Sequence, residues 1–229
     1  MVKTVHIRHF YDDGYAARYP GTGDASPSSK IAGYQKIISD YFRNVFQVEL
    51  TYEVIHQRSE VDACTHGGAS INTYCQKSLN GTCDYTAGRC HCTNAANHLF
   101  TLPQGVNTIP GANGRIVKWT GHKLCEGCPN NGHTSKSQSV CGGTRIAIQW
   151  GDLLTPETRD NVTIGSIAHE LGHSFGCIGD NSDTCTNTTC VMRYYVNDQD
   201  KVDNLTSYNP EAYCSLCRSK IISYIQTQL

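Results

Sequence analysis

Two histidines and a glutamate stand close together in the segment HELGHSFGCIGD, which runs from His169 to Asp180. Positions i and i+4 of a helix share one face about 6 Å apart, so His169 and His173 can place two imidazoles on one metal ion. Glu170 flanks that ion. A carboxylate there can take the proton of a water at the metal, the general-base chemistry of metal-assisted peptide hydrolysis. Gly176 fits as well, because helices commonly stop where a residue can adopt the left-handed conformation. Random placement of this composition gives roughly 0.01 HExxH matches in a chain of this length, so coincidence is a poor account.

The elements that must position these side chains follow from periodicity. Ile164, Ile167, Ala168, Leu171 and Phe175 trace one helical face from about 161 to 176. Upstream, residues 4–10 alternate in strand fashion, residues 29–46 carry apolar side chains at spacings of three and four, and residues 48–54 alternate again. That is the strand-helix-strand opening of an α/β (α+β) layer. Further strands are expected at Arg115 to Trp119 and Thr144 to Trp150. Asn209 as N-cap, Pro210 at the first helical position and Glu211 in the first turn predict a helix running towards Ile225. No repeat or linker divides the chain, so residues 1–229 read as a single domain.

With 229 residues and 38% hydrophobic composition the chain can bury one substantial core. Lys+Arg 19 against Asp+Glu 20 leaves no basic stripe, which argues against a nucleic-acid partner. No apolar run approaches the roughly 18 residues needed to span a bilayer. The 13 cysteines point to an oxidising compartment, and sequons at Asn80, Asn161, Asn187 and Asn204 agree with a secreted, glycosylated, disulfide-bonded protein. Cys64, Cys75, Cys83, Cys90 and Cys92 sit in a loop-like stretch with little to bury, where disulfides are expected to hold the chain. The pairs Cys125/Cys128 and Cys214/Cys217 are read as disulfide cysteines rather than as a zinc ribbon or redox motif, and the odd count leaves one cysteine over. The opening MVKTVHIRHF has no apolar leader core, so a targeting segment and propeptide absent from this chain are expected.

HExxHxxG followed by Asp180, together with the later Cys190-Val191-Met192, resembles the metzincin zinc endopeptidases, in particular the reprolysin branch of ADAM and venom metalloproteases. The likeness extends to the strand-helix-strand start, to His98–Thr101 (HLFT) and to the cysteine-bearing C-terminal helix. It implies a mixed twisted sheet with helices in an upper subdomain of about 1–176, a small irregular lower subdomain of about 177–229 ending in a helix, and a substrate cleft between them. It also implies a Zn2+ cofactor, peptide or protein substrates, a monomer, and Met192 as the apolar floor beneath the metal. In the related astacin branch a tyrosine two residues after that methionine can stabilise the developing oxyanion, and Tyr194 holds this offset; packing is its plainer role.

One departure matters. The family places its third zinc-ligating histidine ten residues after the first, and here that position is Gly179. Asp180 is the nearest oxygen donor and zinc accepts carboxylate oxygen, although Asp180 equally suits the structural role of the aspartate that follows the family's third histidine. His133 and Asp183 are weaker candidates. The leading expectation is a secreted zinc endopeptidase with Glu170 as base. Its rivals are a weakened or inactive metzincin that serves as an extracellular binding protein, and a disulfide-stapled interaction module with an accidental motif.

Overall fold

The computed structural model describes residues 2–11, 13–19, 21–56, 113–120, 137–138, 145–149, 156–177, 189–193 and 198–229. Strand β1 (Lys3–Tyr11) leads through a short helix α1 (Asp13–Ala16) to α2 (Pro27–Tyr41). Helix α2 opens on Ser26, whose side chain accepts a hydrogen bond from Ser29 N–H, with Pro27 supplying the preset first-turn φ. Its last turn widens into a π turn over Phe42–Phe46 and stops at Gln47, which takes the left-handed conformation (φ 56°). Strand β2 (Val48–His56) follows, then β3 (Arg115–Thr120), β4 (Ser137–Gln138) and β5 (Arg145–Gln149).

The strands form one sheet in the order β2-β1-β3-β5-β4, parallel except for β4, which runs antiparallel to β5 at the edge. Register places Ile7 beside Arg115, Tyr11 beside Trp119, and Trp119 beside Ile148. Val5, Ile7, Tyr11, Val117, Trp119, Ile146 and Ile148 therefore share one face and join one core with Ile31, Tyr34 and Ile38 of α2 and Ile164, Ile167 and Leu171 of the next helix. His9 is fully buried on that same face, accepts a hydrogen bond from Trp119 Nε1 at 3.0 Å, and is pushed down to a pKa of about 3 by burial.

Helix α3 (Pro156–Ser174) carries the HELGH segment. It is tied to α2 where Asp160 accepts from Tyr34 Oη at 2.5 Å and pairs with Lys30 at 3.0 Å. Helices α4 (Asp198–Thr206) and α5 (Ser215–Gln228) complete the described chain. The helix expected from Asn209 to Ile225 is broken. Asn209 does cap a turn, accepting from Glu211 N–H, but that turn is a 3-10 segment ending at Ala212, and α5 starts afresh after Cys214. Tyr213 is extended (φ −110°, ψ 121°) because its ring is wholly buried and its hydroxyl reaches back to the Ala168 carbonyl at 2.5 Å. An α/β architecture with a mixed sheet is thus present. No described helix is long and apolar enough to cross a membrane.

Candidate metal centre

The last turn of α3 is closed by its sequence. Gly176 adopts φ +84°, Gly176 N–H donates to the His173 carbonyl, and Cys177 N–H donates to the Gly172 carbonyl at 3.0 Å. This pair of backward bonds is a Schellman turn, which the left-handed glycine makes possible. Its result is that the Cys177 carbonyl faces His173 Nδ1 at 3.0 Å. His169 Nδ1 meets a second backbone carbonyl, that of Val191, also at 3.0 Å.

A carbonyl only accepts, so the hydrogen-bond pattern assigns the proton of each neutral ring to Nδ1 and turns each Nε2 into a lone pair. The two Nε2 atoms lie 3.0 Å apart, on rings set at 85°. Neither can donate to the other in this assignment, and two lone pairs that close favour a cation between them. Two nitrogens bound at 2.0 to 2.1 Å on a tetrahedral zinc would stand roughly 3.3 Å apart. Glu170 is buried beside them at 5% exposure, and its carboxylate lies within 4.8 Å of the imidazole donors. The imidazole-rich donor set suits Zn2+.

Met192 sits directly under this turn of α3. A Cβ added at Gly172 would fall 2.3 Å from Met192 Sδ and 3.0 Å from Tyr213 Cε1. The Met192 turn is fastened by Val191 N–H donating to the Ala212 carbonyl at 2.7 Å, and Tyr213 beside it donates its hydroxyl to the Ala168 carbonyl.

A second donor group lies next to that turn. Cys190, Cys214 and Cys217 are buried with their sulfurs within 4.8 Å of one another. Cys190 and Cys217 Sγ are 3.9 Å apart, well beyond the S–S bond length near 2.05 Å and close to the roughly 3.8 Å expected of two thiolates on one tetrahedral zinc. Cys177 Sγ donates to the Cys217 carbonyl at 3.4 Å. No disulfide joins the described cysteines. The signal for this group was the Cys214-x-x-Cys217 spacing, which suits a metal as well as a disulfide; its third member is more than twenty residues away in sequence.

The structure brings together His169, Glu170, His173 and Met192. Asp180, Tyr194, Gly179, His133, Asp183, the HLFT segment and the remaining nine cysteines lie outside the described residues. Of the sequons, Asn161 donates to Gln199 at 2.6 Å and Asn204 accepts from Asn209 at 2.5 Å, while Asn80 and Asn187 are not described.

No family model and no curated protein matches this chain. Among solved structures, a zinc-dependent peptidase from Methanocorpusculum labreanum (strain Z) is similar, with a TM-score of 0.43 and 14% identity over 94% of this chain and 99% of that one. A likeness that loose transfers no residue roles.

Proposed function

We propose that the chain is a zinc-dependent endopeptidase in which His169 and His173 hold the metal and Glu170 is the general base. The observation that carries this reading is the approach of the two Nε2 atoms to 3.0 Å, with each Nδ1 set against a backbone carbonyl. Bound zinc supplies Lewis acidity, lowering the pKa of a water and polarising a carbonyl. Glu170 removes the proton of the attacking water and delivers it to the leaving amine nitrogen. Its burial beside the imidazoles keeps the carboxylate at the place where that proton is released. Asp180 is the proposed third protein ligand, with Tyr194 offered as a hydrogen-bond donor to the developing oxyanion. The upper and lower subdomains meet at the metal in this reading, the first ending near Gly176.

We further propose that Cys190, Cys214 and Cys217, of which Cys214 and Cys217 are read from sequence as disulfide cysteines, would instead hold a second ion in a structural role, fastening the Met192 turn to the start of α5. The second functional reading, a binding protein with weakened catalysis, rests on Gly179, which removes the relatives' third histidine. One assay set separates these. The native protein is expected to contain two equivalents of zinc, to cleave casein or a peptide library, to lose cleavage on chelation and to regain it when zinc is restored. Zinc without cleavage would favour the binding protein, and a metal-free active or inactive protein would reject both.

A further inference from the structure

Arg115, the first residue of β3, is 1% exposed, and all of its N–H groups are engaged. Nε donates to Ser174 Oγ at 3.2 Å, and Nη2 to the Ser174 carbonyl at 3.1 Å and Tyr224 Oη at 3.0 Å. Nη1 donates to the carbonyls of Asn113 (2.9 Å) and Gly114 (3.0 Å). The guanidinium also lies over the rings of Phe175 and Tyr224, 5.2 and 5.6 Å from their centroids. Every one of these acceptors is neutral. Burying a cation among neutral groups is costly, and an apolar side chain would fill the space more cheaply.

What a guanidinium adds here is specific to the end of α3. It satisfies a last-turn carbonyl that has no partner within the helix and sets a positive charge against the negative end of the helix dipole. Ser174 and Phe175 are the two residues that follow His173, and the turn they begin carries the Cys177 carbonyl back to His173 Nδ1. Strand β3 is paired on both sides, with β1 and β5, so the anchor is an interior strand of the sheet.

We propose that Arg115 is a positioning residue of the metal centre. By gripping Ser174 and Phe175 from the sheet, it fixes the turn that aims the Cys177 carbonyl at His173, and so sets the orientation and basicity of one ligand imidazole. The inference rests on the zinc reading above. Outer-shell partners of this kind are worth about 10- to 100-fold in metal affinity.

The test is a zinc-buffered titration of the full chain, read from the ring-nitrogen NMR signals of His169 and His173, which report this site and not the thiol group. Arg115→Lys keeps the charge and loses the fork; it should weaken zinc binding at these signals about 10- to 100-fold. In metal-free protein it should also shift the His173 Nδ1 signal more than that of His169. Ser174→Ala, which deletes one acceptor on the helix side, should act in the same direction with a smaller effect. Tyr224→Phe loosens the guanidinium on the α5 side alone; it should lower Tm while leaving zinc affinity within about 3-fold, short of the outer-shell range. Native zinc affinity and native His173 signals in folded Arg115→Lys would overturn the proposal. Should that variant not fold, the same result in Ser174→Ala would overturn it. Equal weakening by Tyr224→Phe would do so too, since it would mean general loosening. A native protein that takes up no zinc would end the metal reading itself before any variant is compared, and this inference with it.

Discussion

At His169 and His173 the tautomer is decided by the backbone. Each Nδ1 has a carbonyl 3.0 Å away, one delivered by the Met192 turn and one by the Schellman turn at Gly176, so both rings face each other through Nε2. In the proposed zinc site this arrangement would supply two protein ligands, where a catalytic zinc normally has three. Asp180 is proposed to supply the third. Asp180→Ala should then weaken zinc binding by more than about 100-fold, beyond what outer-shell changes cost, and Gly179→His should restore it in that background. Wild-type zinc affinity in Asp180→Ala, measured by competition with a chelator, would return the residue to a structural role. The pair of histidines and the neighbouring glutamate were legible in the sequence because a helix converts i, i+4 spacing directly into proximity. Arg115 was not, since nothing local marks an arginine at a strand start as buried; its acceptors on Ser174 and Tyr224 lie 59 and 109 residues away.

Among the elements, those with an apolar period came through, and their limits moved by a few residues. Strands β1 and β2, helix α2 and helix α3 all occur where alternation or a three-four spacing predicted them, with α3 starting five residues earlier, at Pro156. The C-terminal helix did not, because the bond from Tyr213 to Ala168 and the placing of Cys214 against Cys190 pull two residues out of helical geometry. Helix α4, with only Val202 and Leu205 buried among its apolar side chains, offers too short a stripe to be read. Helix α3 packs closely on the Met192 turn at Gly172. Gly172→Ala would put a methyl group 2.3 Å from Met192 Sδ, and both Met192 and Tyr213 are fully buried. Such overpacking should cost about 1 to 3 kcal/mol, read as a lower urea midpoint. Unchanged stability would mean that the turn is loosely packed against the helix.

Across the whole molecule the core holds two sets of buried polar groups beside the sheet. Trp119 donates to His9, and on the neighbouring helix Gln35 donates to Ser39, which donates to the Leu50 carbonyl. His9 titrates near 6.5 when unfolded and near 3 in the fold, chiefly because burial disfavours the charged ring. Between those values the unfolded chain binds the extra proton, so stability present above pH 6.5 is lost as pH falls towards 3. The slope is at most about 1.4 kcal/mol per pH unit. Urea unfolding of metal-free protein should therefore show a loss of roughly 2 kcal/mol between pH 6.5 and 5, and His9→Gln should flatten that dependence. An equally steep fall in the variant would assign the acid sensitivity to other groups. The cysteine count was the least legible feature of the sequence, because composition alone does not distinguish sulfurs paired covalently from sulfurs gathered around a metal.

Glu170 as general base is the claim on which the reading of the molecule turns, and zinc content and peptide turnover measured side by side on the native protein and Glu170→Gln test it most directly. The amide fills the same space and leaves both imidazoles untouched, but it cannot take a proton. The variant should keep its zinc and lose turnover by at least about 10² to 10⁴, the usual worth of a general base. A variant that cleaves at the native rate, or one that loses its zinc, would contradict the account.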